Sequence, residues 1–178
     1  MSPSARTGEP AAGRGAPARG EGGPPAGEAA STPVAEVLVP GEGGRGRALV
    51  LDAPISFWGG VDPATGRIAD VRHPQCGESV AGTVLVLPGT IGSSSASAVL
   101  LELVHAGRAP AALVLHEPDA ILLLGLIVAR EMGWRTPVAL RLARERHRAF
   151  RGHTVTVDGA AEAAAPGTLR IAAGTAGT

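Results

Sequence analysis

Lysine and tyrosine are absent from this 178-residue chain, cysteine occurs once, and the aromatic residues are two Phe and two Trp. All 16 basic side chains are therefore arginine, and 16 acidic ones balance them to a formal net charge of zero. Without an excess of positive charge or an aromatic stacking platform, the composition argues against a nucleic-acid partner. The lone Cys76 excludes an internal disulfide and a self-contained cysteine metal centre, and it fits a reducing cytoplasm. Long hydrophobic runs are missing too. The most apolar stretch, 121–129, lies between Asp119 and Arg130 and falls far short of the roughly 20 residues a membrane span needs. The first residues carry no apolar signal core, so a membrane or secretory role is not expected.

What is present is 44% hydrophobic residues together with 26 glycines and 15 prolines, far more than average usage. With so few aromatic side chains, a core must be built from Val, Leu, Ile and Ala. Residues 1–33 have no hydrophobic periodicity, and ordering them would cost chain entropy with little burial in return. They are expected to be a disordered tail. Residues 34–158 are expected to form the single folded domain, and 159–178 a flexible tail in which Thr168 to Ile171 can add a short final strand.

Within that domain the hydrophobic segments are short, β-branched and punctuated by Gly, Pro and Asp. Arg47 to Leu51, Arg67 to Val71 and Gly82 to Leu87 read as strands. Ser93 to Ala106 then places Val99, Leu100, Leu103 and Val104 at helical spacing, with Gly107 just beyond. Ala111 to Leu115 reads as a strand, Ala120 to Met132 as a mostly buried helix ending at Gly133, and Thr136 to Leu140 as another strand. Alternating strands and helices imply parallel pairing in this half, whereas the first half reads as all-β. The fold class expected is α/β, a layered β/β/α domain.

Chemistry concentrates at the turn from Pro88 to Ser97, between a buried strand and a helix N-terminus. Free N–H groups and the helix dipole favour negative charge there, either a serine alkoxide or a bound carboxylate or phosphate. Ser93 as an ordinary helix cap is the alternative. The turn lacks the Gly-Lys-Ser/Thr ending of a phosphate-binding loop and the Gly-x-Ser-x-Gly pattern of a nucleophile elbow. A second concentration, Pro54 to Pro63, places a Phe and a Trp beside a glycine pair. Asp62 there either lines a site or binds the amides of its own turn. His73 and Cys76 are too few for a metal site and read as solvated loop residues, with substrate contact by His73 as the other option. The run 141–151, with five Arg and one His, reads as a solvated helix face anchored by Leu142 and Phe150.

Taken together, Pro54-Ile55-Ser56-Phe57-Trp58-Gly59-Gly60-Val61-Asp62-Pro63-Ala64-Thr65-Gly66, His73-Pro74-Gln75-Cys76-Gly77 and Gly92-Ser93-Ser94-Ser95 resemble the aconitase X swivel domain family. The resemblance extends over about Gly46 to Leu140. It implies a swivelling domain that serves as the small subunit of a hydro-lyase, dehydrating a small hydroxy acid such as cis-3-hydroxy-L-proline or phosphomevalonate. It also implies a large catalytic partner subunit that carries an iron centre or iron–sulfur cluster, with none bound by this chain alone. Ser93 is the implied proton acceptor, and Ser94, Ser95, Asp62 and His73 are the implied substrate-binding residues. At Ile91 the chain departs from relatives that often carry a basic residue shortly before the Gly-Ser pair.

Overall fold

The computed structural model describes residues 34–171, so the disordered tail expected over 1–33 and the residues after Ile171 lie outside it. Seven strands close into a barrel in the order β1, β7, β6, β5, β2, β8, β9, with β9 returning to β1. In chain order these are β1 (Val34–Val39), β2 (Gly44–Val50), β5 (Val84–Leu87), β6 (Ala112–Leu115), β7 (Ala139–Arg141), β8 (Thr154–Val157) and β9 (Pro166–Ile171). A small hairpin, β3 (Val61–Asp62) with β4 (Arg67–Ile68), sits in the connection from β2 to β5.

The barrel has two unlike halves. Strands β2, β5, β6 and β7 pair in parallel, while β1, β8 and β9 pair antiparallel with one another and with the flanking β2 and β7. Helices α1 (Ala96–His105) and α2 (Ala120–Glu131) form the crossovers from β5 to β6 and from β6 to β7. They pack against each other and against the outer face of the parallel half. The result is the layered β/β/α arrangement: antiparallel strands, parallel strands, helices.

This layering follows from side-chain alternation. In β5 and β6 every residue is buried, because one face meets the helices and the other the barrel interior. Leu85, Leu87, Leu113 and Leu115 join Leu100, Leu103, Leu122 and Leu126 beneath the helices. Val84, Val86, Ala112 and Val114 join Val37, Leu140, Phe150, Val155 and Leu169 inside the barrel. Each fully buried leucine contributes about 1.5–3 kcal/mol, so the two cores are built mainly of Val, Leu, Ile and Ala, with Phe57 in one and Phe150 in the other.

Both helices end as their glycines predict. Gly107 and Gly133 adopt φ values of +67° and +73°. Their amides bond back to Val104 O and Arg130 O, and the next amides reach Leu103 O and Ala129 O. This pattern satisfies carbonyls of the last turn at a backbone conformation that glycine adopts without strain.

Several boundaries differ from the sequence reading. β1 had no assignment of its own. The last parallel strand begins at Ala139: Thr136 O accepts the Glu42 amide and the Val138 amide donates to Glu42 O, although Val138 O still accepts the Leu113 amide of β6. The run after Arg141 is a 3-10 helix over Arg144–Phe150 whose His147 and Phe150 are buried, and a three-residue spacing puts them on one side of it. β9 pairs with both β8 and β1, so the barrel runs on past Asp158 to Ile171. Among the described residues no helix is long and apolar enough to cross a membrane.

Candidate functional site

All four parallel strands point their C-terminal ends at one rim, where open α/β sheets place their chemistry. The segments leaving that rim are Leu51 to Ala53 after β2, Pro88 to Ser95 after β5, His116 to Asp119 after β6, and Leu142 onward after β7.

The serine turn is pinned from both sides. Thr90 bridges to Ile55, and the Ile91 amide donates to Ile55 O at 3.0 Å. Thr90 Oγ1 donates to Asp119 Oδ2, whose other oxygen accepts the amides of Ile121 at 2.9 Å and Leu122 at 3.1 Å. Asp119 therefore caps α2 and ties the serine turn to it. Glu117 also approaches closely: a Cβ added to Gly89 would lie 3.3 Å from its carboxylate.

Ser93 is not the helix cap. α1 starts at Ala96, three residues later than the sequence reading, with Ser95 in the capping position and no side-chain cap bond. Ser93 Oγ accepts the Ser95 amide at 3.3 Å, and Ser93 O accepts the Ala96 amide at 3.0 Å. Ser93 and Ser95 are half-buried and Ser94 is exposed. The first turn of α1 contains no acidic residue, so its positive end is left for a negative charge beside Ser93.

His73 is buried, with 6% of its surface exposed, and is not the solvated residue its loop suggests. Its Nε2 donates to Ala53 O at 3.2 Å and its Nδ1 accepts the Gln75 amide at 3.1 Å. Both ring nitrogens are engaged, so His73 acts as a plug that fixes its loop against the end of β2. Gln75 strengthens the junction by bonding to the Asp52 carboxylate, which also pairs with Arg151 at 2.5 Å. Cys76 is exposed as expected.

Asp62 turns inward on its own hairpin. It accepts the Ala64 amide at 2.9 Å and Thr65 Oγ1 at 2.7 Å. The Thr65 hydroxyl first, and then the Ala64 amide, hold its carboxyl below the usual carboxylate range. That hairpin lies against Arg108, which follows the C-terminus of α1, whereas Ser93 precedes the N-terminus. Both carboxylate oxygens of Asp62 are thus spent within the hairpin. Of the residues singled out by sequence, the three serines share one turn, and His73 supports a neighbouring loop.

A depression of about 460 Å³ opens beside the turn, lined by Ser56, Trp58, Asp70, Val71, Arg72 and Ile91, among others. Three of its walls are exposed apolar side chains: Trp58 at 61%, Val71 at 85% and Ile91 at 58%. Further along the rim, His116 and Arg141 line a second hollow with Glu36 and Leu142. His116 meets the edge of His147 at 6.3 Å between ring centroids. Burial pushes the His147 imidazole below its ordinary value, opposed in part by the hydrogen bond from its Nε2 to Leu142 O at 3.0 Å.

The Thr90–Asp119 tie, Glu117 and Arg72 escaped the sequence reading. An Asp placed directly before an apolar helical run is a cap signal, so Asp119 was open to detection. The other two depend on loop packing. Among the described residues no three His, Cys, Asp or Glu side chains gather as a metal site. With His73 spent on backbone partners and Cys76 alone at the surface, these residues do not fit an iron centre.

A family model described as the aconitase X swivel domain matches residues 33–165. A cis-3-hydroxy-L-proline dehydratase of Pseudomonas aeruginosa is 48% identical over 107 residues, which are 60% of this chain and 18% of that relative. A phosphomevalonate dehydratase small subunit of Methanopyrus kandleri is 45% identical over 96 residues, 54% of this chain and 69% of that one. In three dimensions the chain is similar to the holo form of Thermococcus kodakaraensis aconitase X. The TM-score is 0.65 and the identity 29%, over 79% of this chain and 99% of that chain. Because the family match runs through the parallel strands, the serine turn and most of the antiparallel half, the chain belongs to the aconitase X swivel domain family.

Proposed function

We propose that this chain is the small subunit of an aconitase X-type hydro-lyase that dehydrates a small hydroxy acid, with cis-3-hydroxy-L-proline the favoured substrate. The observation that carries the reading is the placement of Ser93 at the sheet's C-terminal rim, two residues before the capping position of α1, whose first turn holds no acidic side chain. In this reading Ser93 Oγ takes the proton next to the substrate carboxylate. A serine hydroxyl is a weak base, so the developing charge needs the dipole of α1 and the first-turn amides around it. Ser94 and Ser95 orient the substrate from the same turn. A larger partner subunit supplies the rest of the site, including the iron or iron–sulfur centre that these residues do not fit. Several relatives bear the name of small subunits, and the P. aeruginosa relative is a far longer chain, which supports a module that works against a larger polypeptide.

The hydroxyproline reading is favoured by the exposed apolar walls Trp58, Val71 and Ile91 beside the serine turn, which suit the methylene carbons of a small ring acid. A second reading, phosphomevalonate dehydration, draws support from relatives that are separate small subunits. Co-expression with the larger subunit, iron loading and turnover of both acids separate the two. Ser93→Ala is expected to lower kcat at least 100-fold, within the span of general-base catalysis, while the complex stays assembled. Turnover that survives Ser93→Ala sinks the base role, and loss of folding without a specific loss of turnover favours a noncatalytic swivel module.

A further inference from the structure

Arg72 presents an unusual combination of a fixed backbone and a free head group. Its loop is anchored on one side by the buried His73 plug and on the other by the Ala69 amide, which donates to Gly60 O at 2.9 Å. Gly60 itself is packed so closely on Ser56 O that an added Cβ would fall 2.1 Å from it. The floor of the depression beside Ile91 is thus rigid backbone. Above it, Arg72 keeps 90% of its side chain exposed and touches Asp70 only through Nε, at 3.4 Å. Asp70 Oδ1 is at the same time held by the Arg72 amide at 2.9 Å. Both terminal guanidinium nitrogens therefore have no partner among the described residues. A guanidinium held by its Nε edge offers a two-nitrogen fork suited to a carboxylate.

We infer that Arg72 and the apolar walls Trp58, Val71 and Ile91 form the subsite for the substrate carboxylate and its apolar body, across from Ser93. This assignment rests on the hydro-lyase reading and extends it to a specificity residue. The ligand it fits is a compact monocarboxylate: the fork takes the acid, and the indole and the two aliphatic side chains cover methylene carbons. The serine turn meets this depression at Ile91, two residues before Ser93.

The test uses the complex of this chain with its co-expressed larger subunit. L-proline serves as a carboxylate probe with no hydroxyl to lose, titrated calorimetrically, and cis-3-hydroxy-L-proline is used for turnover. Arg72→Gln is expected to weaken L-proline binding at least ten-fold and to raise KM by a similar factor, with kcat within three-fold and the complex intact. Unchanged L-proline affinity, no L-proline binding by the wild-type complex, or a complex that falls apart on the substitution overturns the assignment. If Ser93→Ala abolishes turnover while Arg72→Gln leaves affinity unaltered, the Arg72 assignment alone fails. If Ser93→Ala leaves turnover intact, the base role fails and the L-proline titration still decides Arg72.

Discussion

Asp119 carries two tasks, and removing it should expose both. Its Oδ1 caps α2 and its Oδ2 holds Thr90 of the serine turn. Truncation to alanine loses a cap worth about 1 kcal/mol and a side-chain hydrogen bond worth about another 1 kcal/mol. The expected cost of Asp119→Ala is therefore about 2 kcal/mol, which lowers the urea midpoint by about 1 M at a slope of roughly 2 kcal/mol/M. Asp119→Asn keeps an oxygen for the α2 amides, and its amide nitrogen donates to Thr90 Oγ1 instead, so it should stay within about 0.5 kcal/mol of the parent. Thr90→Val removes the shared bond alone. In a double-mutant cycle with Asp119→Ala, the coupling between the two residues should be about 1 kcal/mol. Urea unfolding of the four proteins, followed by circular dichroism, measures every term. An alanine variant within about 0.5 kcal/mol of the parent, or a cycle that is purely additive, refutes the claim that Asp119 ties the serine turn to α2.

Two further outcomes follow from packing and burial. Gly125 on α2 faces Ser97 O on α1, and an added Cβ would lie 2.5 Å from that oxygen. Gly125→Ala should therefore destabilise by about 1–3 kcal/mol despite alanine's better helix propensity, and a midpoint equal to or above the parent's would contradict it. Because burial holds the His147 imidazole below its ordinary value of 6.5, the unfolded chain binds a proton there before the folded one does. Its effect is nil above about pH 6.5 and becomes a loss of stability as the pH falls through that value towards the lowered folded one. Denaturant midpoints taken from pH 7.5 to 5 should fall less in His147→Gln than in the parent; parallel profiles would count against burial as the cause.

The parallel half was legible in sequence because its signals are strong. Val84–Leu87 and Ala112–Leu115 are unbroken apolar runs, and the helices between them end at glycines whose conformations ordinary residues resist. The antiparallel half was harder. Pro166–Ile171 begins with Pro and Gly, which read as turn, and its strand exists only because β1 and β8 are there to pair with it. His73 was misplaced for a related reason. A histidine among Pro, Gln and Gly reads as solvated, but burial is tolerable once Ala53 O and the Gln75 amide satisfy both nitrogens. Ser93 was correctly set at the rim, yet sequence alone left it poised between cap and base. The helix starts at Ala96 with Ser95 in the capping position, and Ser93 Oγ accepts the Ser95 amide, so Ser93 stands just ahead of the first turn. Asp62 carries a local duty that its motif does not reveal: its two carboxylate oxygens hold the hairpin turn at Ala64 and Thr65.

The closing seam of the barrel has a bearing on how such a module joins a larger chain. Val34 pairs opposite Thr168, and Glu36 lies beside Arg141 near the end of β7. β1 therefore starts, and β9 finishes, at the same rim that holds Ser93. The two strand ends at this seam therefore lie on the rim from which the serine turn also leaves. A short tether from that rim keeps an attached chain at high effective concentration over the turn. If a larger polypeptide completes the site, as proposed above, this rim is the edge that a fused or a separate chain would meet.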